Sequence, residues 1–135
     1  MNQQLRQQLI RFALVGTLGF LVDVTIFSSL FFLLALPLMY ARIIAFVVSA
    51  TVTWYGNRTM TFASADSHRV KQLLTFMVGA SFSALPNLGV FKLCTYWLGE
   101  GGFFAMVALV AGIGAGVVSN YLISRNLVFR ASRSG

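Results

Sequence analysis

Four long apolar runs separated by short polar breaks make up most of this chain. The runs cover residues 12–34, 43–56, 73–98 and 103–123. A helix needs roughly 20 apolar residues to cross a bilayer, and the second run reaches that length if it begins near Met39. The pattern therefore predicts an all-α membrane protein with four transmembrane helices, forming one membrane domain over residues 1–135.

The breaks between the runs differ in length and composition. Residues 35–38 form a short turn in which Pro37 cannot continue the preceding helix, and residues 99–102 form a glycine-rich turn. Residues 57–72 are the only long polar loop. We therefore expect two pairs of helices, each joined by a tight turn, with the polar loop between the pairs.

Composition supports the membrane class and limits the function classes. Of the 135 residues, 58% are hydrophobic and 10% are charged, against about 45–50% and 25% in an ordinary soluble domain. This composition excludes a soluble globular protein and leaves no chain for a separate catalytic domain. The net charge of +7 makes anionic lipid the first candidate partner, whereas nucleic acid would need a water-facing basic surface that the chain lacks.

The positions of the charges predict the orientation in the membrane. Eight of the ten basic residues fall on one side of the predicted helices, namely Arg6, Arg11, Arg58, Arg69, Lys71, Arg125, Arg130 and Arg133. The positive-inside rule then places both termini and the long loop in the cytoplasm. The first apolar run is too long for the roughly 7–15-residue core of a signal peptide, so we interpret it as a retained membrane helix.

The two halves of the chain resemble each other. The second and fourth helices end on Arg58 and Arg125, and each arginine is followed four positions later by Phe. We call the separation between these two arginines along the chain the repeat offset. The first and third helices match more weakly, through a Val-Gly pair. We predict two parallel two-helix repeats, about 11–62 and 74–129, an arrangement found in some transporters.

Asp23 lies inside the first predicted helix, roughly 16 Å from its start and so near the middle of a hydrocarbon core about 30 Å thick. An ionisable group there costs roughly 2.5–3.5 kcal/mol and normally faces other helices or water. Gly16 and Gly19 share its helix face. Asp23 either belongs to a transport pathway or fixes helix packing through a hydrogen bond, and we favour the pathway.

Arg42 and Lys92 are the two basic residues on the opposite side of the predicted helices. Arg42 shares a helix face with Ser49 and Thr53, so it either points inward with them or extends to the lipid head groups. Lys92 shares no face with the polar residues of its own helix. We expect Lys92 to reach the interface, unless Pro86 bends the helix and turns it inward.

Small and polar residues share single faces of the third and fourth predicted helices. Asn87 lies on a face with Ser83, and Asn120 lies on one with Gly112 and Gly116. The GxxxG spacing of the two glycines favours close helix packing. Asn120 serves either a packing hydrogen bond or a ligand, and the pattern does not separate the two.

Arg58 and Arg125 lie where their helices reach the cytoplasm. Membrane anchoring explains a basic residue at such a place, but it does not explain the choice of Arg at the same distance from Phe in both halves. The arginine fork suits bidentate recognition of phosphate. We therefore predict that both arginines bind a phosphate group.

Motifs of several other functional classes are absent from the sequence. There is no GxxxxGK[ST] nucleotide loop, and no HExxH motif or cluster of His, Cys and carboxylates that would bind a metal. The acidic residues Asp23, Asp66 and Glu100 are too scattered to act as a catalytic pair, and Cys94 has no partner for a disulfide. The chain is therefore predicted not to be an enzyme and to hold no metal or cofactor.

Several short motifs follow one another in order along residues 11–129. They are Arg11-Phe12, Val15-Gly16, Asp23, Asn57-Arg58, Thr61-Phe62, Asn120-Tyr121, Ser124-Arg125 and Phe129. Together they resemble the GtrA-like family of small bacterial membrane proteins. The aromatic residue often found just before the Thr-Phe or Val-Phe ending of each half is Met60 in one copy and Leu127 in the other.

The resemblance implies translocation of polyprenyl-phosphate-linked sugars across the bacterial cytoplasmic membrane, with a membrane glycosyltransferase as partner to load the lipid on the inner face. The sugar would serve O-antigen, teichoic acid or another envelope glycan. On this interpretation the inner arginines and asparagines hold the phosphate, and the outer basic residues receive it. The residues expected to contact phosphate or sugar are Arg58, Arg125, Asn57, Asn120, Arg42, Asp23, Asn87 and Lys92.

Two other functions stay open at this stage. One is a proton-coupled exporter of cationic compounds, similar to the small multidrug resistance family, which also has four helices and a carboxylate in the first. The other is a non-transporting accessory subunit of a membrane glycosyltransferase. The faces of small residues also predict self-association into a homo-oligomer.

Overall fold

The computed structural model describes residues 1–130, apart from the side chains at positions 38, 39 and 102, and its regular structure is helical throughout. The helices are α1 (Gln3–Ser28), α2 (Leu38–Gly56), α3 (Arg69–Phe82), α4 (Ala84–Leu98) and α5 (Gly102–Ile123). Helices α1, α2 and α5 each run into a five-residue π-helical turn, at Ser29–Leu33, Asn57–Thr61 and Ser124–Val128. The predicted all-α class is confirmed over this range.

Three helical stretches of the described chain are long and apolar enough to cross a bilayer. They are Gln3–Leu33, Arg69–Leu98 and Phe103–Val128. Helix α2 covers 19 residues, and its place as the fourth span stays a prediction. Many large apolar side chains point outward, among them Leu14, Phe20 and Leu93. Such extensive exposed apolar surface is typical of a protein that lies in lipid.

The third predicted helix is interrupted at one residue. Helix α3 ends at Phe82 and α4 begins at Ala84, with Ser83 between them. Pro86 explains the interruption, because its ring has no N–H and crowds the carbonyl group four residues earlier, at Phe82. The helix predicted over 73–98 is therefore one apolar helical stretch, Arg69–Leu98, with an interruption at Ser83.

The helices pack as two antiparallel hairpins: α1 packs with α2, and the stretch formed by α3 and α4 packs with α5 and the turn that follows it. In both hairpins, glycine residues allow the backbones of the two packed helices to approach closely. A Cβ atom at Gly19 would overlap Thr53 Oγ1, and one at Gly112 would lie 2.7 Å from the backbone oxygen of Asn87. The predicted GxxxG face, which also contains Gly116, thus packs against α4 within the chain.

The two hairpins meet at one end of the molecule, which we call the loop end. There Arg11 donates a hydrogen bond of 3.2 Å to the backbone oxygen of Met60, and the Tyr121 hydroxyl donates one of 2.9 Å to Gln8 Oε1. The start of α1, the loop after α2 and the end of α5 therefore lie together. The assignment of this end to the cytoplasm stays a prediction, and Arg133 lies outside the described residues.

Candidate functional site

A cluster of aromatic rings joins the hairpins at the loop end. Phe62 and Phe129 stack with ring centroids 4.7 Å apart and planes 15° apart. Phe12 packs edge to face on Tyr121 at 5.2 Å, Tyr121 lies 6.2 Å from Phe62, and Phe76 lies 6.5 Å from Phe129. We call these five residues the aromatic cluster.

The π-helical turns after α2 and α5 position the two stacked phenylalanines. The amide of Phe62 donates to the carbonyl oxygen of Asn57, and the amide of Phe129 donates to that of Ser124, both at 2.9 Å. Such turns are rare and occur frequently at functional sites. The two turns are separated by the repeat offset, so each begins at the equivalent position of its half.

A hydrogen bond from an aromatic side chain to a glutamine connects the hairpins twice. The Trp54 indole N–H donates to Gln72 Oε1 at 3.0 Å, and the Tyr121 hydroxyl donates to Gln8 Oε1 at 2.9 Å. The two aromatic residues are separated by the repeat offset, and the two glutamines by nearly the same distance along the chain. The division of the chain into two parallel repeats stays a prediction.

Arg58 is buried at the loop end, where it holds the loop against α3. Its Nη1 donates to Gln72 Oε1 at 2.6 Å, and its Nη2 donates to the backbone oxygen of Asp66. The guanidinium also lies 5.8 Å from the centroid of the Trp54 ring, a cation–π contact. These partners are uncharged. Within the described residues the Arg58 charge therefore has no ion pair, and it adds to the positive field of the loop end.

Three buried polar atoms at the loop end make no hydrogen bond within the part of the chain that the structure describes: Asn57 Nδ2, Ser124 Oγ and Arg125 Nε. Asn57 and Ser124 are fully buried and occupy equivalent positions in the two halves. An unpaired buried polar group costs about 1–3 kcal/mol, so each of these atoms has capacity left for a hydrogen bond to water or to a ligand. Ser124 is missing from the sequence-predicted set, although the repeat offset from Asn57 identifies it.

A polar hollow of about 470 Å³ also opens at the loop end. Its polar and charged lining residues are Asp66, His68, Lys71, Gln72, Thr75 and Arg130. The backbone N–H of His68 donates to the Asp66 carboxylate at 2.9 Å, and this bond lowers the pKa of Asp66, with help from the His68 ring and the Arg58 charge. The ionised carboxylate offsets part of the basic charge around the hollow.

Asp23 and Arg42 form an ion pair on the first hairpin, away from the loop end. Arg42 Nη1 lies 2.8 Å from Asp23 Oδ2, and the guanidinium lies 5.9 Å from the centroid of the Phe27 ring. Arg42 therefore turns toward α1, while its side chain is still 55% exposed. Asp23 Oδ1 is buried and has no hydrogen-bond partner among residues 1–130, so the carboxylate keeps acceptor capacity.

The remaining predicted residues of the second hairpin lie at different places. Asn87 packs against Gly112 and Gly116 and lines a recess of about 280 Å³ that also includes Asn120. Lys92 is exposed and forms no ion pair with any described residue. Asn87 and Asn120 are thus brought together, whereas the role of Lys92 at the interface stays a prediction.

A cavity of about 570 Å³, the inter-hairpin cavity, lies between the two hairpins beside the aromatic cluster. Helices α1 and α2 form one side of it, with Gly16, Ser49 and Thr53, and helices α3 and α5 form the other. Phe12 belongs to both the cluster and the cavity wall. Asn120 also lines the cavity, and its buried Oδ1 makes no hydrogen bond within residues 1–130.

Sequence reasoning identified the polar residues but missed what connects them. Gln72 accepts hydrogen bonds from both Trp54 and Arg58, yet an isolated Gln at the start of a helix carries no recognisable signal. The inter-hairpin cavity arises from the way the hairpins meet, which the periodicity of single helices does not contain.

Within residues 1–130 no three His, Cys, Asp or Glu residues are grouped so as to hold a metal ion.

Comparison with known proteins places the chain in a family. No solved structure matches the chain. Residues 11–129 match the family described as GtrA/DPMS, transmembrane domain, and this range includes both hairpins and the loop between them. The chain therefore belongs to the GtrA/DPMS transmembrane domain family, and it is a multi-pass membrane protein of polyprenyl-phosphate sugar processes.

Proposed function

We propose that the protein is a flippase that carries a polyprenyl-phosphate-linked sugar across the bacterial cytoplasmic membrane for glycosylation of envelope polysaccharides. Family membership supports this class of lipid. The observation that carries the proposal is the concentration of arginine charge and unpaired buried polar atoms at the loop end. Translocation makes and breaks no covalent bond, so it requires binding and shielding groups and no catalytic residue.

On the inner side the phosphate binds around Arg125. The Nε atom of Arg125 is buried and unpaired within residues 1–130, whereas both terminal nitrogens of Arg58 already donate to Gln72 and Asp66. Hydrogen bonds from a guanidinium to phosphate are among the strong ones in proteins. Arg125 is therefore the direct phosphate ligand, and the charge of Arg58, which has no ion pair among the described residues, adds to the attraction.

The sugar then crosses between the hairpins while the prenyl chain stays in the bilayer. Bare hydrocarbon would leave the sugar hydroxyls without hydrogen-bond partners, which is costly. The polar groups of Ser49, Thr53 and Asn120 reduce that cost along the inter-hairpin cavity, and Asn87 lies in the adjoining recess.

On the outer side Arg42 receives the phosphate, helped by Lys92. Arg42 is held by Asp23 in the structure, but its side chain is 55% exposed and can exchange the carboxylate for a phosphate group. Consumption of the sugar outside the cell gives the net direction. A membrane glycosyltransferase loads the lipid on the cytoplasmic side, and the polar hollow with Lys71 and Arg130 faces this partner. The small-residue faces that predicted a homo-oligomer pack within the chain, at Gly19, Gly112 and Gly116, so self-association stays a prediction.

The proposal is tested with proteoliposomes that contain a short-chain prenyl-phosphate glucose. Periodate that cannot cross the membrane oxidises the sugars exposed on the outer leaflet, and the rate at which the inner pool becomes reactive measures flipping. We expect wild-type protein to raise this rate well above that of protein-free liposomes. An unchanged rate with correctly folded protein would contradict the proposal and favour the accessory subunit.

The cation exporter is disfavoured by the ion pair of the first hairpin. Such an exporter needs its membrane carboxylate free to pair with a cationic compound, whereas Asp23 Oδ2 lies 2.8 Å from Arg42. Transport of a quaternary ammonium dye that is abolished in Asp23→Asn would reverse this judgement.

A further inference from the structure

We infer that the inter-hairpin cavity binds the sugar head group and that it selects an uncharged sugar. This inference rests on the proposed function and deepens it, because it assigns a substrate class and a place for the sugar. The volume of about 570 Å³ lies within the range of small-molecule sites, about 300–1,000 Å³. Its chemistry, its charge and its opening each support the assignment.

The hydroxyl oxygens of the cavity wall are left as hydrogen-bond acceptors. The hydroxyls of Thr17, Ser49 and Thr53 each donate to a backbone carbonyl oxygen, at 2.9, 2.8 and 2.8 Å. Their oxygen lone pairs remain available to a ligand. The side-chain amide of Asn120 also lines the cavity and contains both a donor and an acceptor. A ligand that satisfies this wall must bring several donors, and the hydroxyl groups of a sugar both donate and accept hydrogen bonds.

Aromatic rings supply the apolar part of the wall. Phe12 and Phe76 line the cavity from the aromatic cluster, and Phe20 and Phe46 line it from α1 and α2. A sugar ring combines C–H groups, which pack on aromatic faces, with hydroxyl groups at its edge. Binding sites of small molecules commonly combine apolar and aromatic walls with a few placed polar groups, and this wall has both.

None of the described residues that line the cavity is charged. The nearest carboxylate along α1, Asp23, is already paired with Arg42, and the nearest guanidinium along that helix, Arg11, donates to the backbone oxygen of Met60. A charged ligand group would therefore lose its hydration without gaining an ion pair, which is strongly unfavourable. Sugars that carry a carboxylate or an ammonium group should be excluded.

The cavity opens toward the bilayer between α1 and α5. The described contacts between these helices, Phe12 with Tyr121 and Gln8 with Tyr121, lie at the loop end. Farther along, the lining residues Phe20 and Ile113 are both exposed. A sugar can thus occupy the cavity while its prenyl chain extends through this opening into lipid.

Gly16 offers a direct way to fill the cavity. It lines the wall, and a Cβ atom there would meet no atom within 4 Å, so Gly16→Leu places a side chain in the cavity without disturbing helix packing. Gly114 on α5 is equally open to a Cβ atom but lies outside the cavity lining. Gly114→Leu is therefore the matched control.

The experiment compares three short-chain prenyl-phosphate sugars that carry glucose, glucuronate or glucosamine. Binding is measured in detergent and flipping in proteoliposomes, each for wild type, Gly16→Leu, Gly114→Leu and Asn120→Leu. We expect wild type to prefer glucose about tenfold or more over both charged sugars. Gly16→Leu should lower glucose binding and flipping about tenfold, Asn120→Leu about three- to tenfold, and Gly114→Leu should match wild type.

Three results would overturn the inference. Equal binding and flipping of neutral and charged sugars would show that the cavity does not select an uncharged sugar. Unchanged glucose binding in folded Gly16→Leu would show that the sugar does not occupy the cavity. If Gly16→Leu loses binding of the sugar-free prenyl phosphate, the cavity holds the prenyl chain instead of the sugar, and this result also overturns the inference. Binding selectivity without any flipping by wild type would contradict the flippase and uphold the sugar site, so the two failures are distinguishable.

Discussion

Phe62 and Phe129 stack face to face, with centroids 4.7 Å apart, although they lie in different halves of the chain. Each follows a π-helical turn that ends one hairpin, so the stack joins the equivalent ends of the two halves. Trp54 and Tyr121, which are separated by the same repeat offset, each donate a hydrogen bond to a glutamine of the opposite hairpin. The hairpins are therefore held together by two related sets of contacts at the loop end.

Replacing Phe129 by Ala should destabilise the association of the hairpins. Phe129 is 2% exposed, and truncating a buried phenylalanine typically costs about 3 kcal/mol or more. The free energy of unfolding is measured in mixed micelles, with the loss of the helical circular dichroism signal as the readout. Phe103→Ala is the control, because Phe103 is 76% exposed and its loss should change stability by less than about 0.5 kcal/mol. Equal effects of the two substitutions would disprove the structural role of the stack.

Gln72 should matter more to stability than its counterpart Gln8. Gln72→Leu leaves the Trp54 indole and one Arg58 nitrogen without their acceptor, whereas Gln8→Leu leaves only the Tyr121 hydroxyl. Buried donors without partners cost about 1–3 kcal/mol each, and more when charged. We expect a loss of about 3 kcal/mol or more for Gln72→Leu and about 1 kcal/mol for Gln8→Leu. The reverse order in unfolding measurements would contradict the assigned contacts.

These contacts also mark the limit of what the sequence predicts. The apolar runs located the helices, and the Arg-to-Phe spacing marked the ends of the second and fourth predicted helices, because these are local patterns. It did not indicate the π-helical turns at those ends. Pro86 indicated a bend in the third predicted helix but not that the interruption lies at Ser83. The role of Gln72 and the inter-hairpin cavity could not be predicted, because both depend on how one hairpin packs on the other.

Asp23 and Arg42 should be coupled energetically. Their contact of 2.8 Å joins a mostly buried carboxylate to a guanidinium that is 55% exposed, so solvent screens part of the attraction. We expect a double-mutant cycle with Asp23→Asn and Arg42→Gln to give a coupling free energy of about 1 kcal/mol. Strictly additive effects on unfolding would show that the pair makes no net contribution.

Asp66 should make the loop sensitive to acid. The backbone N–H of His68 lowers the pKa of Asp66 in the folded protein. The stabilisation is therefore complete above the unfolded pKa, near about 3.9, and is lost as the pH falls through the lower folded value. Hydrogen exchange of residues 62–68 should accelerate below about pH 4 in wild type relative to Asp66→Asn at the same pH. Identical pH profiles for the two proteins would contradict this role.

The most direct test of the proposed function is the effect of Arg125→Ala on flipping of a short-chain prenyl-phosphate glucose in proteoliposomes. Removal of a charge-assisted hydrogen bond to phosphate, about 1.5–3 kcal/mol, should lower the rate tenfold or more. Arg6→Ala removes an arginine of the first turns of α1, at the same end of the molecule, and should leave the rate close to that of wild type. A correctly folded Arg125→Ala protein that flips the lipid as fast as Arg6→Ala would contradict phosphate binding at the loop end.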